Sequence, residues 1–149
     1  MAEIDYRAII EEIKAILEVH DLTRQIGGNT LIVDIDEVPN ENSERCPWIG
    51  LYLLDWSTPG EEELIGGATP FVTYLTVECV LMDYAIDEGT ACKYRDRLIS
   101  RVKEVIKGNR TLNSKVLITR YIGGVFGTIS AQEGYMKSVT LRLQLEVRE

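Results

Sequence analysis

From Phe71 to Tyr84 the chain runs 14 residues without glycine, proline or any other breaker, and its apolar side chains fall on both alternating faces. Phe71, Leu75, Val77, Cys79 and Leu81 take one face, and Val72, Tyr74, Val80 and Met82 the other, which is the two-residue period of a β-strand. At a rise of about 3.3 Å per residue such a strand is roughly 46 Å long. A chain of 149 residues folds to a body only about 40 Å across. The strand must therefore bend strongly or project. A projecting strand that is apolar on both faces is stable only under cover, and a second copy of the chain is the simplest cover.

The other elements fall around it. Tyr6, Ile9, Ile10, Ile13, Ile16 and Leu17 recur at helical spacing, so Asp5 to His20 reads as an amphipathic helix, with His20 beside its apolar stripe near the last free carbonyls. Gly27, Gly28 and Asn29 punctuate the chain, and Thr30 to Ile35 reads as a short buried strand. Trp48 to Leu54 is apolar on both faces, as a strand covered on both sides would be. Ser57 to Pro70, with Pro59, Gly60, Glu61, Glu62, Glu63, Gly66 and Gly67, marks a long exposed loop or hairpin arm. Ala91, Tyr94, Leu98, Val102, Val105 and Ile106 predict a second helix over Thr90 to Lys107, stopped by Gly108 and Asn109. Val116 to Ile122 reads as a strand, Gly123 to Gly134 as a glycine-rich loop carrying Val125 and Phe126, and Tyr135 to Val147 as the last strand. There Val139, Leu141, Leu143, Leu145 and Val147 alternate strictly with Thr140, Arg142, Gln144, Glu146 and Arg148. One face packs and the other is wet or meets a partner. The order predicts a single α+β domain over residues 1–149: a mainly antiparallel sheet, two helices packed on one face, and projecting loops or a hairpin arm.

Residues that carry chemistry are scarce. Cys46, Cys79 and Cys92 lie far apart and His20 is the only histidine, so no pair has the spacing of a zinc site. An odd number of cysteines and a charged N-terminal segment suit a soluble, unsecreted protein with reduced thiols. A calcium loop starting at Asp34 would need an oxygen ligand at position 38 and glycine at 39, where Val38 and Pro39 stand. Gly123, Gly124 and Gly127 precede no helix and so lack the N-terminus that lets a glycine loop hold phosphate. The Asn109–Arg110–Thr111 sequon reads as accidental in an unsecreted chain. Carboxylate pairs are too abundant to single out an acid/base couple. No enzyme, catalytic residue, metal or cofactor is expected.

Charge is laid out unevenly. Residues 1–89 hold 4 basic and 19 acidic side chains, residues 90–110 hold 7 and 2, and residues 111–149 hold 5 and 3, for a net charge of −8. An acidic body repels a nucleic-acid backbone. Against it stands one basic helix, whose open face carries Lys93, Arg97, Arg101 and Lys103. That face is either simply solvated or one half of a contact with the acidic surface of an identical neighbour. The second arrangement favours head-to-tail rings.

The opening YRAIIEEIKAIL, the strand PWIGLYLLD, the stretch GGATPFVTYLTVECVLMDY running into a helix, and the closing SVTLRLQLEVRE together resemble the tail terminator (tail completion) proteins of long-tailed bacteriophages. The resemblance spans nearly the whole chain as a pattern of elements and transfers no residue one by one. It implies a virion protein, made in the host cytoplasm, that forms a ring, usually a hexamer. The ring would cap the tail tube, end its polymerisation and meet the head connector or stopper protein, while DNA passes through unbound; no membrane is involved. The assembly surfaces are then expected at the arm around Trp56 to Phe71, at Lys93, Arg97 and Arg101, and at the Phe126 loop. The alternatives are another neck or tail-tube component, and a cytosolic small-molecule-binding or enzymatic α+β domain with a pocket lined by Trp48, Tyr52 or Trp56.

Overall fold

The long strand is central. In a computed structural model that describes residues 5–19, 31–36, 45–57, 72–130 and 133–148, Val72–Ala85 (β3) lies in the middle of a five-stranded sheet. The elements in chain order are α1 (Tyr6–Val19), β1 (Ile32–Ile35), β2 (Trp48–Ser57), β3, α2 (Glu88–Gly108), β4 (Ile118–Ser130) and β5 (Tyr135–Arg148). The sheet order is β1-β2-β3-β5-β4, with β1 parallel to β2 and every other pair antiparallel. Among the described residues no helix is long and apolar enough to cross a membrane. His20, Gly27 to Asn29, the acidic loop 37–44, the Glu61 to Glu63 tip and Phe71 lie outside the described residues.

β3 and β5 pair along their whole length, from Val72↔Arg148 to Ala85↔Tyr135, with no register shift. Leu75, Val77, Cys79 and Leu81 of β3 and Val139, Leu141, Leu143, Leu145 and Val147 of β5 point to one face and are buried there. Both helices close this face, α1 over β1 and β2, α2 over β3 and β5. α1 forms because Ile9, Ile10, Ile13, Ile16 and Leu17 make one stripe, and Asp5 caps it by accepting the Ala8 N–H at 2.9 Å. Each of those buried side chains contributes about 1.5–3 kcal/mol.

Three expectations need correction. β3, expected to bend or project under the cover of a second copy, is flanked within its own chain, by β5 along its whole length and by β2 from Tyr74 to Met82. The glycine-rich stretch from Gly123 is strand as far as Ser130, because it pairs with β5 down to Ser130↔Tyr135. A bulge between Tyr121 and Gly123 interrupts the register, and Gly123 takes it up at φ +146, a conformation that favours glycine. Double coverage of β2 is limited to Trp48–Leu51, and the strand continues through half-buried or exposed residues to Ser57. The early half is covered by β1, whose register ends at Ile35↔Leu51.

The second sheet face is mostly polar, with one buried cluster of Cys46, Trp48, Met82 and Met136. Trp48 is held by a single carboxylate: its Nε1–H donates to Asp34 Oδ2 at 2.7 Å, and Arg45 donates to the same oxygen at 2.6 Å. The indole lies over Gly50, where an added Cβ would stand 2.3 Å from the ring. Gly50→Ala is therefore expected to destabilise the fold by about 3 kcal/mol, an overpacking cost. In a Trp48→Phe background, which removes the clashing part of the ring, the same change should cost much less; denaturant melts of the four combinations measure this.

Candidate functional site

α2 carries the basic residues, and its start is set by Asp87. The Asp87 carboxylate accepts the Thr90 N–H at 2.9 Å and the Thr90 hydroxyl at 3.0 Å. The backbone bond first, then the hydroxyl, hold its pKa below the usual carboxylate value. The helix buries Ala91, Leu98, Val102 and Ile106 and ends at Asn109, whose N–H returns to the Ile106 carbonyl. With that stripe turned to the sheet, Lys93 is exposed while Arg97 and Arg101 are half-buried, in one line at four-residue intervals.

Phe126 is not on a loop. It sits in β4 opposite Val139, on the helix side of the sheet, and Arg95 of α2 lies 4.5 Å from its ring centroid. The Arg95 side chain is 15% exposed and also meets Asp96 at 2.9 Å. Five residues before Phe126, Tyr121 donates its hydroxyl to the Val102 carbonyl at 3.2 Å, and Lys103 stands over the Tyr121 ring. Burial raises the Tyr121 pKa, with a smaller contribution from Cys79. Arg95 and Lys103 thus tie α2 to the outer strand through aromatic faces. Arg95 was legible as an oddity: it lies three and seven residues before Leu98 and Val102, on the apolar stripe, where a cation needs a π-face or an anion.

Trp56 lies toward the opposite lateral edge of the sheet, paired with Leu75. It is 62% exposed, on the distal half of β2 beside exposed Leu53 and Leu54. The row Trp56↔Leu75↔Leu145↔Thr119 places three strand spacings, roughly 14 Å, between Trp56 and β4. The expected interface residues therefore fall into two separate surfaces. One is formed by α2 and β4, the other by the end of β2.

Two unpaired strand edges coincide with these surfaces. β4 pairs with β5 on one side and, among the described residues, with nothing on the other. Among the described residues, Leu53–Ser57 of β2 has β3 as its only strand neighbour, because β1 stops at Leu51. The exposed apolar side chains Ile122, Val125 and Phe126 stand along the first edge. Along the second stand Leu53, Leu54 and Trp56.

Reactive chemistry is not concentrated anywhere in this arrangement. Burial pushes the Cys79 thiol up to about 12, which keeps it protonated at neutral pH. Among the described residues no group of three or more histidine, cysteine, aspartate or glutamate side chains could hold a metal. Several carboxylates are already paired: Asp34 with Arg45, Asp36 with Arg7, Glu78 with Arg142, and Glu146 with Arg120.

No protein-family model matches the sequence, and no curated protein matches it. A solved structure, the virion of a native gene transfer agent (GTA) particle, contains a chain with a similar fold: TM-score 0.52, 9% sequence identity, and 92% of each chain covered.

Two outcomes are expected. A carboxyl whose pKa is lowered by folding contributes stability above its unfolded value, and that contribution fades as pH falls through the folded one. Asp87→Asn keeps a capping residue but removes this titration, so stability measured by urea melts should fall less steeply below about pH 4 than in the parent chain. For the ring contact, a double-mutant cycle of Arg95→Ala and Phe126→Ala should give a coupling of about 1 kcal/mol in denaturant melts.

Proposed function

We propose that this chain is a structural protein of a virion, of the phage or gene-transfer-agent kind, and that its copies close head to tail into a ring at the head-proximal end of a tail. There the ring ends tail-tube polymerisation and joins the tail to the head connector or stopper protein. Support for the virion reading comes from the shared fold with a chain of the GTA virion and from the tail-terminator resemblance of the sequence. The observation that carries the assembly is the pair of unequal free edges on opposite sides of one sheet.

Strand directions permit that closure, and charge favours it. β4 runs antiparallel to β2 within the sheet, so the β4 edge of one copy can extend the next copy's sheet at β2 as an antiparallel ladder. A two-fold β4–β4 pairing would instead bring two basic α2 helices together, with Lys93, Arg97, Lys103 and Lys107 facing their own kind. Head-to-tail pairing sets that basic side against the end formed by α1, β1 and β2, where the described residues between 5 and 57 hold 7 acidic side chains against 3 basic. Lys93, Arg97, Arg101 and Phe126 then belong to one half of each junction, and Trp56, with the arm toward Phe71 expected from the sequence, to the other. Heterologous contacts of this kind close into rings when the rotation permits. Acidic walls would let DNA pass without adhering.

Light scattering and electron microscopy of the purified chain test this. Single rings are expected, and Arg97→Glu/Arg101→Glu should shift them toward monomers by about tenfold or more at low salt, less at high salt. Val125→Lys, a charge placed on the free β4 edge, should have the same direction with the monomer fold intact by circular dichroism. A parent chain that stays monomeric at high concentration defeats the proposal. Long tubes in place of rings would indicate a self-stacking tube component.

A further inference from the structure

Between the C-terminal half of α2 and the first residues of β4 lies a cavity of about 330 Å³, the size of a small-ligand site. Lys103, Lys107 and Arg110 line it from the helix side. None of the three has a carboxylate partner among the described residues, whereas Arg120, on the strand side, already pairs with Glu146 at 2.5 Å. Thr119 also lines it, and its hydroxyl is unusual: the residue is 4% exposed and its Oγ1 has no hydrogen-bond partner among the described residues. Buried hydroxyls are normally satisfied, so an orphan on the wall of a cavity with three cations that lack a carboxylate, one of them (Lys103) resting over the Tyr121 ring, marks a missing partner that accepts hydrogen bonds and carries negative charge.

We infer that this cavity is an oxyanion-binding site, taking a single phosphate or carboxylate group. Lysine ammonium groups and an arginine supply charge-assisted donors, and the Thr119 hydroxyl supplies a neutral one. Ile106 and Tyr121 add apolar wall, which lowers the local dielectric and strengthens those bonds. Lys107 and Arg110 also answer the negative end of the α2 dipole, but that accounts neither for Lys103 a turn earlier nor for the hydroxyl. The ligand is one charged group and not a nucleic-acid backbone, because the chain around it is acidic, at net −8, and repels a polyanion. The site stands independently of ring assembly.

Calorimetric titration of the full chain, in chloride buffer of matched ionic strength, tests it with two probes: inorganic phosphate and a triglutamate peptide. Saturable binding of at least one is expected. Phosphate alone points to a free phosphate or small phosphoester as the natural ligand, and the peptide alone points to a carboxylate of another chain. Lys103→Gln/Lys107→Gln, at exposed positions, should weaken the binding by about tenfold or more. Thr119→Val should also weaken it without lowering the thermal midpoint of the unliganded chain, since valine leaves no orphan donor. Binding of neither probe, or binding that the double substitution leaves unchanged, overturns the site.

Discussion

The unbroken ladder between β3 and β5 is what the rest of the molecule hangs from. Fourteen residues on each strand meet in one register. A slip by a single residue would turn Leu141, Leu143 and Leu145 out to the polar face and bring Arg142 and Gln144 under α2. That register therefore fixes the apolar face on which both helices rest. It also fixes the polar face, where Glu78 and Arg142 stand as cross-strand neighbours. β2 and β4 are added to either side of this pair, and each is longer than what lies beyond it. Among the described residues the sheet consequently ends in free edges at the places where exposed apolar side chains collect.

Much of this was readable from the chain itself where the pattern is local. The alternation of β5, the stripe of α1 and the faces of β3 all rest on side chains within a few residues of one another, and the structure has them as read. β4 was missed because its evidence is non-local. Gly123, Gly124 and Gly127 have weak strand preference on their own, and they are strand because β5 presents a complete edge opposite them. The same limit explains the misreading of β3. Its length announces β surface that needs cover; β2 and β5 supply that cover for β3, and the edge without a strand neighbour among the described residues is two strands away, on β4. The position of the deficit depends on strand order, which periodicity does not encode.

The site was legible in part for the same reason. Lys93, Arg97 and Arg101 are set by helical spacing, so their common line on α2 follows from the sequence alone. Arg95 was overlooked because its partner, Phe126, is 31 positions away and was assigned to a loop. Thr119 gave no signal at all. A threonine in a strand is ordinary, and only the burial of its hydroxyl without a partner distinguishes it.

Chain order and sheet order combine to give the molecule a direction. The acidic first part of the chain supplies α1, β1 and β2, and these occupy one end of the sheet. The basic α2 packs over β3 and β5 and reaches β4 through Arg95 and Lys103, at the opposite end. A charge gradient along the sequence thus becomes a charge gradient across the sheet, in the same direction that separates the two free edges. In the proposed assembly, copies joined through like β4 ends could still form an antiparallel ladder but would set basic helix against basic helix, while copies joined through unlike ends satisfy strand direction and electrostatics together. With a twisted sheet, successive copies joined in that sense rotate relative to one another. A closed ring is one solution of that rotation and an open helix the other, so in the proposed assembly the twist at the junction, more than any individual ion pair, would select between a cap and a tube.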